Sequence, residues 1–367
     1  MNKKIRAFGI GAVVILWLAL SAFAWVMPQK DISQSERRPL AQFPELAADT
    51  LLSGKFMSAF EDYSVDQFPL RDAFRQVKSL FHYYALGQKD NNGIYIADGY
   101  AVKQEYPLNT ESVRHATDRF RHVFEKYLQN TDCKIYGAVI PDKNYYLAEQ
   151  SGHLEMDYET LFNQVREQMP YAEHVDLTAG LNAESYYYTD IHWRQELLLP
   201  VAGKLCDAMG MPAPEKESFT VTKLERPFYG VYYGQAALPL QPEDMYILES
   251  RQLSNCRVYD FETGTYGQVY DMTKLSSKDL YDVFLSGAKS LLRIENPNAK
   301  TDRELIIFRD SFGSALAPLL AGEYKTVTLV DIRYISSDML ERYLTFSGQD
   351  VLFLYSTSVL NNAATIK

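Results

Sequence analysis

LIIFRDSFGSALAPLL, residues 305–320, sets a short unbroken apolar run against a helical one, with the polar turn Arg309-Asp310-Ser311 between them. A run this short and this continuously apolar reads as a strand buried on both faces, over 305–308, followed by a helix over 313–320. The rhythm continues downstream: a strand over Thr326–Val330, a helix over 336–343, and a strand over 351–355. Upstream, a helix opened by Thr110 carries Val113, Ala116, Phe120, Val123 and Tyr127 on one face and precedes the apolar run 135–140. A further helix over 159–169 leads to a short strand over 174–177. Strands that alternate with helices predict an α/β fold with a parallel sheet covered on both faces. Residues 219–299 break the rhythm with short Tyr-, Gly- and Val-containing runs (FYGVYYGQ, CRVYDFETGTYGQVYDM), which read as β-hairpins inserted in the α/β unit.

The N-terminus has a different character. Lys3, Lys4 and Arg6 precede an uncharged stretch over 7–27, long enough as a helix to cross a bilayer core of about 30 Å. The positive flank keeps that end cytoplasmic and faces the remainder outward. Ala22-Phe23-Ala24 also fits the small-x-small pattern of a cleaved signal peptide. The length favours an uncleaved, single-pass anchor, and cleavage would secrete the same domain. The expected organisation is an anchor over 1–28, a polar linker and helical stalk over 29–90, and the α/β domain over 91–367. Within the stalk, Leu52, Phe56, Phe60 and Tyr63 share one helix face. Leu70, Phe74, Val77 and Phe81 share another, with Asp66 as the expected cap of that second helix and Pro69 in its first turn.

A formal charge of −10 and the lack of a Lys/Arg-rich run exclude the electrostatic footprint of a nucleic-acid binder. With 47% hydrophobic residues and 27 tyrosines, the chain does not lack core. Cys133, Cys206 and Cys256 are an odd number without paired spacing, so at most one disulfide forms and no zinc or redox motif is present. There is no HExxH, and neither a metal nor a cofactor is expected.

In open α/β sheets ligands gather at the carboxyl ends of the strands. Three polar segments fall there: residues 141–144, residues 189–193 and residues 309–313. A serine hydroxyl is a weak nucleophile until an imidazole takes its proton, and the imidazole needs a carboxylate on its other nitrogen. Asp190 and His192, two apart, leave the same side of an extended backbone. Ser311, at a strand-to-helix turn, completes the candidate triad, with backbone N–H groups of the helix start facing a developing oxyanion. Capping the helix is the ordinary role of a serine in that position. Lys143, Tyr188, Trp193 and Arg309 are the candidate substrate contacts at or beside these segments, and Gly287 joins them only through a family resemblance. Lys143 suits an anionic or hydroxyl-rich ligand, and the rings of residues 186–188 suit a sugar.

These segments resemble the DHHW family of exported bacterial proteins, related to alginate O-acetylation proteins with an SGNH-hydrolase-like fold. The resemblance rests on SERRPLAQFPEL from Ser35, FEDYSVDQFPLRD from Phe60, IPDKNYYL from Ile140, YYYTDIHW ending at Trp193, and LIIFRDSFGSALAPLL from Leu305. It implies a three-layer fold, a triad in the order Asp190, His192, Ser311, and acyl chemistry on a polysaccharide outside the cell. A membrane-bound O-acyltransferase is the implied partner. Three departures stand out. Ile191 replaces the first His of the family name, and Arg309 stands where the ordinary serine motif has Gly. Ser286-Gly287-Ala288 occupies the place of a Gly-Gly-Asn segment. If that Asn serves an oxyanion hole, one donor is missing, a loss that typically costs roughly 10²–10³ in rate. The resemblance therefore implies either an O-acetyltransferase or acetylesterase, or a carbohydrate-binding assembly protein that keeps the fold without turnover.

Overall fold

The computed structural model describes residues 3–33 and 35–367. They form two compact units, Met1–Asn92 with Tyr233–Pro239, and Gly93–Tyr232 with Leu240–Lys367.

The first unit begins with α1 (Lys3–Val26), whose apolar window Arg6–Ala24 is long enough to cross a membrane. Among the helices that follow are α2 (Lys55–Asp66) and α3 (Arg71–Leu80). On α2, Phe56, Phe60 and Tyr63 pack edge-on against Phe43 at centroid distances of 6.4, 6.0 and 5.3 Å. Leu52 does not join them: it ends a separate short helix, Ala48–Leu52, broken from α2 at Gly54, whose φ is +77°. Asp66 does not cap α3 either. It ends α2, and its carboxylate is claimed by Arg38 at 2.6 and 2.8 Å and by the Ala41 N–H at 2.9 Å. The guanidinium holds Asp66 down to about 2. Pro69 accordingly lies before α3, which starts at Arg71 without a side-chain cap. The segment expected as a linker is tied down as well, through Arg38 and through Gln67, which accepts from the Lys30 N–H at 3.0 Å.

The second unit is built on α4 (Thr110–Val123), β1 (Lys134–Ile140), α5 (Lys143–Ser151), α6 (Tyr158–Gln168), β2 (Glu173–His174), α7 (Leu199–Ala208), β3 (Arg257–Asp260), β4 (Thr265–Gly267), β5 (Leu291–Glu295), β6 (Glu304–Arg309), α8 (Gly313–Ala321), β7 (Thr326–Val330) and β8 (Asp350–Ser356). Its eight-stranded sheet runs β4-β3-β5-β7-β6-β8-β1-β2. From β7 to β2 the neighbours are parallel, and β5, β3 and β4 add on antiparallel. The parallel sheet read from the sequence is thus a mixed one. Much of the supposed insertion is an extension of it, and a separate hairpin forms only where Thr220–Lys223 pairs with Tyr246–Glu249. The physical reason lies in β5: Leu291 packs on one face while Leu292 and Ile294 pack on the other, so it belongs inside a sheet, whereas β4 is exposed throughout and suits the edge.

Side-chain alternation divides the core. Leu305, Ile307, Leu352 and Leu354 meet α7 and α8 on one face, and Ile306, Phe308, Val351 and Phe353 meet α4 and α6 on the other. The expected helix over 336–343 is a 3₁₀ segment, Ser337–Arg342. Every residue of α8 is buried, which fixes its start under the sheet edge. Gly313 is required there, because a Cβ would stand 2.8 Å from that of Arg309.

Candidate active site

The carboxyl end of β6 turns sharply into α8. Asp310 shapes that turn: one carboxylate oxygen accepts from the Phe312 N–H at 3.0 Å, and the other from the Ser356 N–H at the end of β8 at 2.8 Å. Ser311 is thereby held half-buried at the rim of the sheet. Its hydroxyl does not cap α8; Ser311 Oγ lies 2.7 Å from His192 Nε2. On the other side of the ring, His192 Nδ1 is 2.6 Å from Asp190 Oδ1. The three side chains form one hydrogen-bonded relay from a fully buried carboxylate to a hydroxyl at the rim.

Asp190 and His192 do not sit in extended backbone. The same Asp190 oxygen also accepts the His192 N–H at 3.0 Å, an Asx turn that brings carboxylate and ring together. The second Asp190 oxygen accepts from the Val231 N–H at 2.7 Å. Gly230 makes this approach possible, since a Cβ there would overlap the Thr189 carbonyl and Asp190 Cα. Glu243 grips the segment from outside: its carboxylate accepts from the N–H groups of Tyr188 (2.7 Å) and Thr189 (2.8 Å) and from the Thr189 hydroxyl (2.8 Å). Burial pushes Glu243 up from the usual carboxylate range, and these donors pull it back. Tyr281 stacks on the His192 ring at 3.8 Å, nearly parallel. Burial raises its own titration far above normal, so it stays a neutral phenol.

Tyr281, Gly230 and Glu243 are the site residues that sequence reasoning missed. Gly230 and Glu243 lie in irregular backbone with no periodic signal. Tyr281 opens the segment of the altered Gly-Gly-Asn motif, and that was its only mark.

The five candidate substrate contacts fare differently. Trp193 is buried, and its indole N–H donates to the Phe312 carbonyl at 3.0 Å, so it fastens the histidine loop to the serine turn. Arg309 is buried too, with Nη1 on the Asp310 carbonyl (3.2 Å) and the Ser314 hydroxyl (3.1 Å). Both placements correct the expectation of ligand contact: the bulk of these side chains is needed as packing. Lys143 is buried, and Nζ donates to the carbonyls of Tyr187 at 2.9 Å and Tyr188 at 3.3 Å. Burial pushes its ammonium down to about 7 against the pull of Glu243, Asp190 and Asp142. An uncharged amine keeps two N–H bonds, enough for these two carbonyls. Gly287 is buried at φ +85°, and its N–H is given to the Phe284 carbonyl at 3.2 Å. Only Tyr188 is exposed, resting on Tyr100 at 4.3 Å.

The helix start offers fewer donors than expected. The N–H groups of Phe312, Gly313 and Ser314 are all spent inside the turn, on Asp310 Oδ1, the Asp310 carbonyl and the Ser311 carbonyl. Ser286, beside Gly287, gives its hydroxyl to Asp271 at 2.8 Å. Among the described residues no group of three His, Cys, Asp or Glu side chains is arranged to hold a metal.

The family model described as DHHW protein matches residues 171–330, a span that includes all three relay residues. A comparison with curated protein sequences returns no match. Among solved structures, the chain is similar to a DHHW family protein from Eubacterium siraeum at 22% identity, covering 76% of this chain and 95% of that one with a TM-score of 0.61. It is also similar to Bacillus cereus PatB1 with a sulfonyl adduct, at 16% identity, 73% and 94% coverage and a TM-score of 0.57. PatB1 without the adduct gives 16%, 73% and 96%, and 0.56. At these identities the likeness is one of fold.

Proposed function

We propose that this chain is an exported, membrane-anchored, SGNH-hydrolase-like enzyme that transfers or removes acyl groups, acetyl foremost, on a cell-surface or secreted polysaccharide. The single observation that carries this reading is the relay from Asp190 through His192 to Ser311, with both contacts under 3 Å, at 2.6 and 2.7 Å. Ser311 Oγ attacks the acyl carbonyl while its proton passes to His192 Nε2. Asp190 holds the Nδ1 proton and stabilises the imidazolium. Collapse of the tetrahedral adduct returns the proton to the departing alkoxide and leaves an acyl-Ser311 ester. A sugar hydroxyl or water, deprotonated by the same imidazole, then takes the acyl group and restores the serine. The oxyanion falls to the Ser311 N–H, which none of the bonds within the turn uses. A membrane-bound O-acyltransferase would supply acyl groups from across the bilayer, and α1 would hold the domain outside it.

One observation favours a second reading, a polysaccharide-binding protein without turnover. The loop holding Ser286 and Gly287 presents no side-chain donor where the Gly-Gly-Asn segment it resembles has Asn, because the Ser286 hydroxyl is spent on Asp271. Acetate release from a chromogenic acetyl ester and from an acetylated polysaccharide separates the two. The enzyme reading expects turnover in wild type and none above background in Ser311→Ala. Polysaccharide binding that survives Ser311→Ala, with no acetate released by either protein, overturns it in favour of the binder.

A further inference from the structure

Helix α3 of the first unit is turned inside out. Leu70, Phe74, Val77, Phe81 and Tyr84 recur at the spacing of one helical face through α3 and its continuation Phe81–Ala85. That face is open: Leu70 is 65%, Val77 64% and Tyr84 69% exposed, while Ser79 on the opposite side is 1% exposed. Ion pairs hold it this way round, because Arg71 Nη1 reaches Glu36 at 2.5 Å and Arg75 Nη2 reaches it at 3.3 Å. The helix therefore commits its polar side to the protein and its apolar side outward. An open apolar stripe of this length marks an interaction surface.

Two observations choose the occupant. First, α1 ends at Val26 and the next strand, Ile32–Ser33, follows after residues 27–31 alone. Five residues reach at most about 17 Å, so this unit stays beside whatever bilayer α1 enters. Second, the exposed cations along residues 68–89 are Lys78 and Lys89, since Arg71 and Arg75 are turned to Glu36, and they face Asp72 alone in a chain whose formal charge is −10. An apolar stripe with a basic margin is the composition of a helix that lies in an anionic headgroup layer.

We propose that α3 and residues 81–85 lie in the interface of the same membrane, with the Leu70, Phe74, Val77, Phe81 and Tyr84 stripe in lipid. The proposal rests on the reading of α1 as a retained anchor. It adds that the first unit is laid on the bilayer rather than held off it.

The test uses the full chain with Val77→Cys, and with Cys133→Ser so that the buried Cys206 and Cys256 are the only other thiols. The new thiol carries a nitrobenzoxadiazole dye, and the protein is reconstituted in phosphatidylglycerol–phosphatidylcholine vesicles. The expected result is emission shifted to shorter wavelength, quenched by nitroxide on the lipid chains and not by iodide. The same dye at Lys278→Cys, an exposed position of the second unit, stays in water. Adding Phe74→Glu returns the position-77 dye to water. A position-77 dye open to iodide, in a chain that withstands alkaline carbonate on the vesicles, overturns the proposal and spares the anchor. A blue shift that lipid nitroxide does not quench, growing with protein density, also overturns it and points to a second copy. Release of the chain by carbonate removes the anchor itself.

Discussion

Two segments border the Ser311 hydroxyl and its imidazole, and they are built to different standards. Residues 186–195 are fastened at nearly every turn: by Lys143 on the carbonyls of Tyr187 and Tyr188, by Glu243, by Val231, and by Trp193 on the serine turn. Residues 281–288 give the His192 ring a stacked phenol, but the Ser286 hydroxyl and the Gly287 N–H are spent elsewhere. The machinery that takes a proton is thus complete, and the machinery that meets an oxyanion is thin. On the proposed function, acylation of Ser311 would rest on the Asp190–His192 pair and gain less than usual from charge stabilisation.

The largest expected effect comes from the first segment. Asp190→Asn keeps the size of the side chain but leaves the ring without its orienting carboxylate. It is expected to lower kcat by roughly 10³–10⁴ in ester turnover; a loss under tenfold would mean that the carboxylate is structural. Restoring the donor sharpens the contrast from the other side. Ala288→Asn, at the position where the resembling motif has Asn, is expected to raise kcat by up to about 10². An unchanged rate would place the missing stabilisation elsewhere.

Glu243→Gln comes next. The amide can accept only through one oxygen, so a three-donor grip is broken at a half-buried site. A stability loss of about 1–3 kcal/mol in denaturant melts is expected, with kcat falling more than KM rises. Lys143→Met gives the smallest effect and the one with a pH signature. The folded group titrates at about 7, against about 10.4 when unfolded. Between those values the unfolded chain binds the extra proton, so wild-type stability rises with pH. From pH 7 to 9 the wild type should gain on the order of 2 kcal/mol over Lys143→Met. Parallel curves would show that the ammonium is not held in a dry site.

The central strands were legible because β6, β7 and β8 are covered on both faces, and continuous apolar runs record that directly. The antiparallel side of the sheet was not. The β3–β4 hairpin lies within the run read as a hairpin, but β5 carries mixed polarity and its pairings with β3 and β7 join segments far apart along the chain. Asp190, His192 and Ser311 could be singled out because chemistry restricts which residue types can serve and because each follows a strand. What surrounds them could not be read: Gly230 and Glu243 act through backbone approach, which leaves no periodic trace. Trp193 and Arg309 misled for the opposite reason. Their side chains suit ligands as readily as they suit a packed interior, and only tertiary contacts decide between the two. Asp66 fell to the same kind of override, drawn from a capping role by a guanidinium 28 residues away.

The most direct test is covalent. A fluorophosphonate added to the full chain, followed by peptide mass spectrometry, should place a single adduct on Ser311, with labelling at least about 10³-fold slower in His192→Ala. Equal labelling of the two proteins, or an adduct on any other serine, would contradict the relay as the source of reactivity.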